Sequence, residues 1–276
     1  MPKAAAVGLV ATLALALALA TSAQAPASDE LDLDARPFSA TEIAARWHGR
    51  LDSRHFTARI TLEMRQTGLS ERRELLIWRD DASAAERVLI RFEAPRDLRG
   101  ISLLYLERAD GANEYFLYQP ALRVVRRLPE SIASEDVYGI DLEFLGFGGA
   151  QTEPTEIESL ASESLDGRPA YRLTERAQRE NPRFDTRITW LDRETFIPLR
   201  TEHHAEGRLE LVATTLETRP VQGVPTPLRM HFEHPVAGRQ IDLVVESVDY
   251  ESAIPPEYFS TLALIRSQLH SAPPGR

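Results

Sequence analysis

From Arg59 onward, apolar and polar residues alternate in segment after segment. Arg59 to Arg65 puts Ile60, Leu62 and Met64 on one side and Thr61, Glu63 and Arg65 on the other. Arg87 to Phe92 repeats the habit with Val88, Ile90 and Phe92, and Ile101 to Arg108 with Ile101, Leu103 and Tyr105. Asn113 to Pro120 sets Tyr115 with Leu117. The second half continues through "AYRLTE", "TRITWLD", "RLELVATTLET", "LRMHFEH" and "IDLVVESVDY". The cleanest case is Leu228, Met230 and Phe232 against Arg229, His231 and Glu233. A period of two belongs to a strand. Roughly a dozen such segments, joined by short turns rich in Gly, Asp or Pro, predict an antiparallel sheet with one dry and one wet face. A sheet that wide has to curl, close, or split into two layers.

Two stretches depart from this period. Ser39 stands three residues before Glu42, which is capping-box spacing, and Ile43, Trp47 and Leu51 then share a helical face. A helix over about Ala40 to Leu51 is predicted. A second, short helix is predicted after Pro255-Pro256, within "PEYFSTLALIRSQL". The stretch from Glu130 to Ala150 is too long for a hairpin and combines aromatics with glycine, so it reads as an insertion.

Composition bears on where the chain works. Met1 to Ala25 has one lysine, an Ala/Leu/Val run from Ala4 to Ala20 and an Ala-x-Ala exit at Ala23 and Ala25, the layout of a secretory signal peptide. An uncleaved anchor is the competing reading, and the run falls just short of a full transmembrane helix. The expected organisation is residues 1–25 as signal, 26–37 as a flexible acidic leader, 38–269 as one domain and 270–276 as a disordered tail. The formal charge is −10, and removing Lys3, the sole lysine, makes it −11. That balance opposes sequence-independent binding to nucleic acid or to anionic headgroups, both of which require a basic surface. With Cys 0 there are no disulfides, thiolate metal sites, cysteine nucleophile or lipid-modified cysteine.

Catalytic signatures are missing. There is no Gly-x-Ser-x-Gly elbow, no His-Glu-x-x-His, no phosphate-binding glycine loop and no dinucleotide fingerprint. The chain therefore reads as a non-enzyme without cofactor or metal. His203, His204, His231 and His234 match no ligand template, and their alternating strands place most of them at polar positions. Arg123, Arg126 and Arg127 form a basic cluster in an acidic chain, beside Glu130, Glu135, Asp136, Asp141 and Glu143. Two readings stand: ion pairs that pin the insertion, or a rim that meets an acidic headgroup or partner.

These residues also resemble a known family. "RFEAPRDLRGISLLYLE", "NEYFLYQPALRVVRRLPES" and "DVYGIDLE" are similar to the signature of bacterial outer-membrane lipoprotein-sorting-like proteins, relatives of the periplasmic carrier LolA. The matching positions are Pro95, Asp97, Arg99 and Gly100, then Tyr118, Pro120, Ala121 and Arg123, then Arg126 and Arg127. "ITWLDRETFIPLRTE" resembles the family's strand–turn–strand at Trp190, Asp192, Pro198 and Arg200. The resemblance implies a mainly β fold with flanking helices: an incompletely closed antiparallel β-barrel, LolA-like, with an α-helical lid.

It also implies a function. A periplasmic carrier would bind the acyl chains of a lipoprotein or related lipid in an apolar cavity and move it toward the outer membrane, between an inner-membrane donor and an outer-membrane acceptor. Each buried methylene is worth about 0.8 kcal/mol, so an acyl chain of roughly sixteen carbons gains about 12 kcal/mol at most. No lipidated molecule crosses water freely against that figure. The residues expected to supply the apolar area are Ile60, Leu62, Met64, Val88, Ile90, Leu103, Leu117, Trp190, Leu211, Met230, Phe232 and Leu243. The alternative keeps the fold and drops the cargo: an envelope sensor or accessory subunit that binds a protein partner.

Overall fold

The computed structural model describes residues 38–51, 54–81, 85–108, 113–129, 136–138, 140–141, 155–178 and 182–265. The residues expected to form the signal, the leader and the tail, and most of the expected insertion, lie outside the described residues.

Helix α1 (Ala40–His48) opens the described chain and runs into a 3-10 turn over Gly49–Leu51. The capping box forms as the spacing predicts: Ser39 Oγ accepts from the Glu42 amide at 3.2 Å, and the Glu42 carboxylate accepts from the Ser39 amide at 2.8 Å. The predicted helix thus ends one turn early, at Gly49.

The alternating segments all become strands. They are β1 (His55–Gln66), β2 (Leu69–Asp80), β3 (Arg87–Ala94), β4 (Ser102–Leu106), β5 (Glu114–Gln119) and β6 (Val124–Leu128) in the first half. Two short strands, β7 (Asp136–Val137) and β8 (Ile140–Asp141), pair with each other within the insertion. The second half holds β9 (Thr155–Leu165), β10 (Arg168–Ala177), β11 (Thr186–Asp192), β12 (Pro198–Ala205), β13 (Arg208–Val221), β14 (Val224–His234) and β15 (Arg239–Asp249). A 3-10 turn at Pro256–Tyr258 and helix α2 (Thr261–Ile265) follow, so the second predicted helix is split.

Among the described residues, thirteen strands make one antiparallel sheet in the order β6-β5-β4-β3-β2-β1-β15-β14-β13-β12-β11-β10-β9. The chain walks from β1 out to one edge at β6, crosses through the insertion to the far edge at β9, and walks back until β15 pairs with β1. Among the described residues strands β6 and β9 do not pair, so the sheet stays open, as the family resemblance implies.

The sheet is nevertheless curled. Strands β2 and β11 are six strand spacings apart in the order, about 29 Å in a flat sheet. Yet Ile77 of β2 and Arg187 of β11 line a common cavity. Register shifts at Arg59/Ile60, Thr174/Glu175, Trp190/Leu191 and His203/His204 supply bends of the kind that tighten a sheet.

Three apolar clusters hold this shape. The largest covers the inner face, with Leu62, Met64, Ile90, Phe92, Leu103, Leu211 and Phe232 among its members. The second lies on the outer face, where Ile254, Phe259 and Leu264 of the C-terminal segment cover Leu76, Trp78, Leu89 and Leu104. The third fixes α1, with Ile43 packed on Tyr171 of β10 and Leu191 of β11. The dry face of the strands is therefore shared between strand residues and a helix.

Candidate functional site: a cavity beneath the first helix

Between the inner cluster and α1 the packing leaves a cavity of about 330 Å³. The side chains on either side explain it. Along the inner face this level carries Ala58, Thr201, Ala213 and Thr215, whereas the adjoining level carries Leu62, Leu211 and Phe232. Small residues leave room that larger ones would fill. The volume falls at the low end of the roughly 300–1,000 Å³ typical of ligand pockets.

Apolar walls come from Phe56 and Ile60 of β1, Ile77 of β2, Met230 of β14, and Leu243, Val245 and Val248 of β15. The register brings them together, since Met230 pairs with Leu243 and Ile60 with Val245. Trp47 and His48 of α1 form the opposite wall, their rings stacked at 4.3 Å. The Arg187 guanidinium lies 4.9 Å from the centre of the Trp47 ring and is paired with the buried Glu175 at 2.9 Å.

One end of the cavity is charged. Arg50, Arg79 and Glu86 line it. Arg79 Nε binds Glu86 Oε1 at 2.5 Å and a second guanidinium nitrogen lies 3.4 Å from Asp81. Burial pushes the Glu86 carboxyl above its ordinary range, and the nearby Asp81 and Glu107 carboxylates add to this, while Arg79 opposes it. Burial also lowers the Arg50 guanidinium, helped by the neighbouring charge of Arg79.

His203 lines the wall as well, 3 % exposed and 4.8 Å from the Phe184 ring. Burial first, then Arg187 and Arg183, hold it well below the usual imidazole value, so it is neutral. His234 is buried too, which corrects the expectation that these histidines sit mostly at polar positions. His204 and His231 alternate to the other face, where they meet Glu202 at 3.3 Å and Asp242 at 2.6 Å. Among the described residues, no group of three acidic, His or Cys side chains is placed to hold a metal ion.

Of the residues named for acyl binding, Ile60, Met230 and Leu243 line the cavity. Leu62, Met64, Val88, Ile90, Leu103, Leu211 and Phe232 pack into the inner cluster, with Leu117 at its margin. Trp190 faces the other way. It donates to Glu163 and stacks under Arg172, its cross-strand partner, while its neighbours Thr189 and Leu191 are buried on the inner side. Sequence reading did not single out Trp47, Arg50, Arg79, Glu86 or His203 as site residues. The available signal was the Gly49 break that ends α1 and turns Arg50 toward the sheet.

The family-motif residues gather elsewhere, at one end of β3–β6. Pro95, Asp97, Arg99 and Gly100 make the turn from β3 to β4, where Arg99 Nε donates to the Glu93 carbonyl at 2.9 Å. Pro120 and Arg123 make the turn from β5 to β6, and Tyr118 is buried on the outer face. Arg126 pairs in register with Leu117 on the exposed edge strand, and Arg127 lies 3.6 Å from Glu114. The acidic residues of the insertion proposed as their partners have side chains outside the described residues.

No helix among the described residues is long and apolar enough to cross a membrane. No curated protein matches the chain in sequence. A family model described as "Uncharacterized protein" matches residues 84–266. Among solved structures, a domain named for outer-membrane lipoprotein sorting from Vibrio parahaemolyticus is 20 % identical, with a TM-score of 0.72 over 83 % of this chain and 100 % of that one. A LolA superfamily protein from Nitrosomonas europaea is 14 % identical, with a TM-score of 0.65 over 82 % of this chain and 99 % of that one. The chain belongs to the family of uncharacterized proteins whose model it matches, and its open, helix-flanked sheet shares the LolA-like fold of those two solved structures.

Proposed function

We propose that the protein is an exported, periplasmic carrier that holds an acyl chain of a lipoprotein or related lipid in the cavity beneath α1 and helps move it toward the outer membrane. It acts as a binding protein and not as an enzyme. The observation that carries this reading is the cavity itself: about 330 Å³ bounded by Phe56, Ile60, Met230, Leu243 and Val245, in a fold shared with a LolA superfamily protein. Met230 adds a side chain that adapts to a variable ligand. In this reading helix α1 is the lid, packed through Ile43 on Tyr171 and Leu191, and moving it aside would enlarge the cavity.

The test is uptake of a long-chain fluorescent fatty acid by delipidated protein. Saturable binding near one probe per chain is expected, and Val245→Trp, which fills the hollow, should reduce it several-fold. Absence of saturable uptake by the unsubstituted protein overturns the reading.

One observation favours the second reading, an envelope sensor or accessory subunit that binds a protein partner. Most of the inner face, from Leu62 and Met64 through Ile90 to Phe232, is already filled by its own side chains. Native mass spectrometry of protein purified from its own cells separates the two, since a carrier retains lipid mass and a sensor retains a protein partner.

A further inference from the structure

Among the described residues, three arginines and one glutamate supply the charges on the cavity wall: Arg50, Arg79, Arg187 and Glu86. Two of the arginines are balanced. Arg79 has Glu86 and Asp81, and Arg187 has Glu175. Arg50 has no carboxylate partner among the described residues, and its Nε is buried without a hydrogen-bond partner. The groups that act on it electrostatically are the Tyr250 phenol and Arg79, the latter a like charge.

A guanidinium keeps its proton throughout the physiological range. A charge taken out of water without a counter-charge is costly, and folds normally supply one. The rest of the cavity wall near Ile60, Leu243 and Val245 is apolar, so the site has a greasy part and one cationic fork at its end. That combination matches a molecule with the same two parts.

Resting on the reading that the cavity takes an acyl chain, we infer that Arg50 receives the negatively charged head of the bound lipid. The ligand class is then an anionic amphiphile, an acyl chain that ends in a carboxylate or phosphate, and not a neutral lipid. A planar guanidinium presents paired N–H donors to two oxygens of such a group, and these charge-assisted bonds are the strong kind. Its position on the 3-10 turn that follows α1 ties the head to the helix that covers the cavity.

The experiment compares cis-parinaric acid with its methyl ester, which has the same chain and no charge, on purified delipidated protein. The unsubstituted protein should bind the acid about 10-fold or more tightly than the ester, the range of a charge-assisted hydrogen bond. Arg50→Gln should bring the acid to the ester's affinity and leave the ester unchanged, and Arg50→Lys should keep part of the preference. Equal binding of acid and ester by the unsubstituted protein overturns the anionic subsite and leaves the carrier reading standing. A preference that survives Arg50→Gln overturns the role of Arg50. Displacement of the acid by inorganic phosphate alone at millimolar concentration makes this a free-anion site and overturns the assignment to an amphiphile. If neither probe binds, the carrier reading falls together with the subsite. The comparison of the two probes on the unsubstituted protein decides the matter even if a variant fails to fold.

Discussion

Pro120 closes on Gly100. A Cβ added at Gly100 would stand 3.0 Å from Pro120 Cγ, so the β3–β4 turn and the β5–β6 turn meet with no room between them. Gly100 also has φ +84°, in the left-handed region where a side chain is strained. Two separate parts of the sequence motif are thus one packed contact. Gly100→Ala is expected to cost about 1–2 kcal/mol from the backbone alone. Urea unfolding followed by circular dichroism measures it, and a loss below about 0.5 kcal/mol would show that the turn can relax to a form any residue adopts.

The two faces of the sheet predict a difference between tryptophans. Trp47 lines the cavity, whereas Trp190 lies on the outer face with Glu163 and Arg172. A brominated fatty acid should therefore quench Trp47. The quenching should vanish in Trp47→Phe and persist in Trp190→Phe. The reverse pattern would mean that lipid binds on the outer face.

Arg79 and Glu86 form a pair whose side chains are 11 % and 7 % exposed. Removing one member of such a pair leaves a buried charge, so Arg79→Met should cost about 3–5 kcal/mol at neutral pH. Glu86 is already held above its ordinary value of 4.5 by burial, and loss of Arg79 raises it further. Protonation then relieves the unpaired charge, so the deficit should shrink as pH falls and grow as pH rises through the folded-state value. The double variant Arg79→Met, Glu86→Leu should recover most of the loss. Thermal unfolding across a pH series reads both effects, and a deficit independent of pH would count against the account.

His203 gives the opposite pH signature. Its folded-state value lies well below 6.5, so it stays neutral while the unfolded chain takes up a proton there. Stability from this group is therefore present above about pH 6.5 and is lost as pH falls below it, at a slope of up to about 1.4 kcal/mol per pH unit. His203→Gln should lack this component. Denaturant titrations at neutral and mildly acidic pH measure the difference between the two proteins, and parallel pH profiles would refute a neutral buried imidazole.

Much of the fold could be read from the period of two. The alternations at Ile60-Leu62-Met64 and Leu228-Met230-Phe232 marked both the strands and their dry faces, and Ser39 with Glu42 marked the start of α1. The period of two is ambiguous where both faces of a strand carry apolar residues. In "RITWLD", Ile188 and Trp190 share one face while Thr189 and Leu191 share the other, and the smaller pair is the buried one. Local pattern cannot choose between them, because the choice depends on α1, whose Ile43 needs Leu191 and Tyr171 as its floor.

The sequence by itself determined the strand type, the one-sided faces, the helix cap and the turn motifs, since each depends on neighbours a few residues apart. Only the tertiary structure decided which inner residues pack solid and which surround a hollow. Leu62 and Phe232 are as apolar as Ile60 and Met230, but the hollow opens where Ala58, Thr201, Ala213 and Thr215 arrive from three different strands at one level. The placing of Arg50 among them was decided in the same way. Volume and charge in a cavity are sums over residues distant in the chain, and curling the sheet is what brings those residues together.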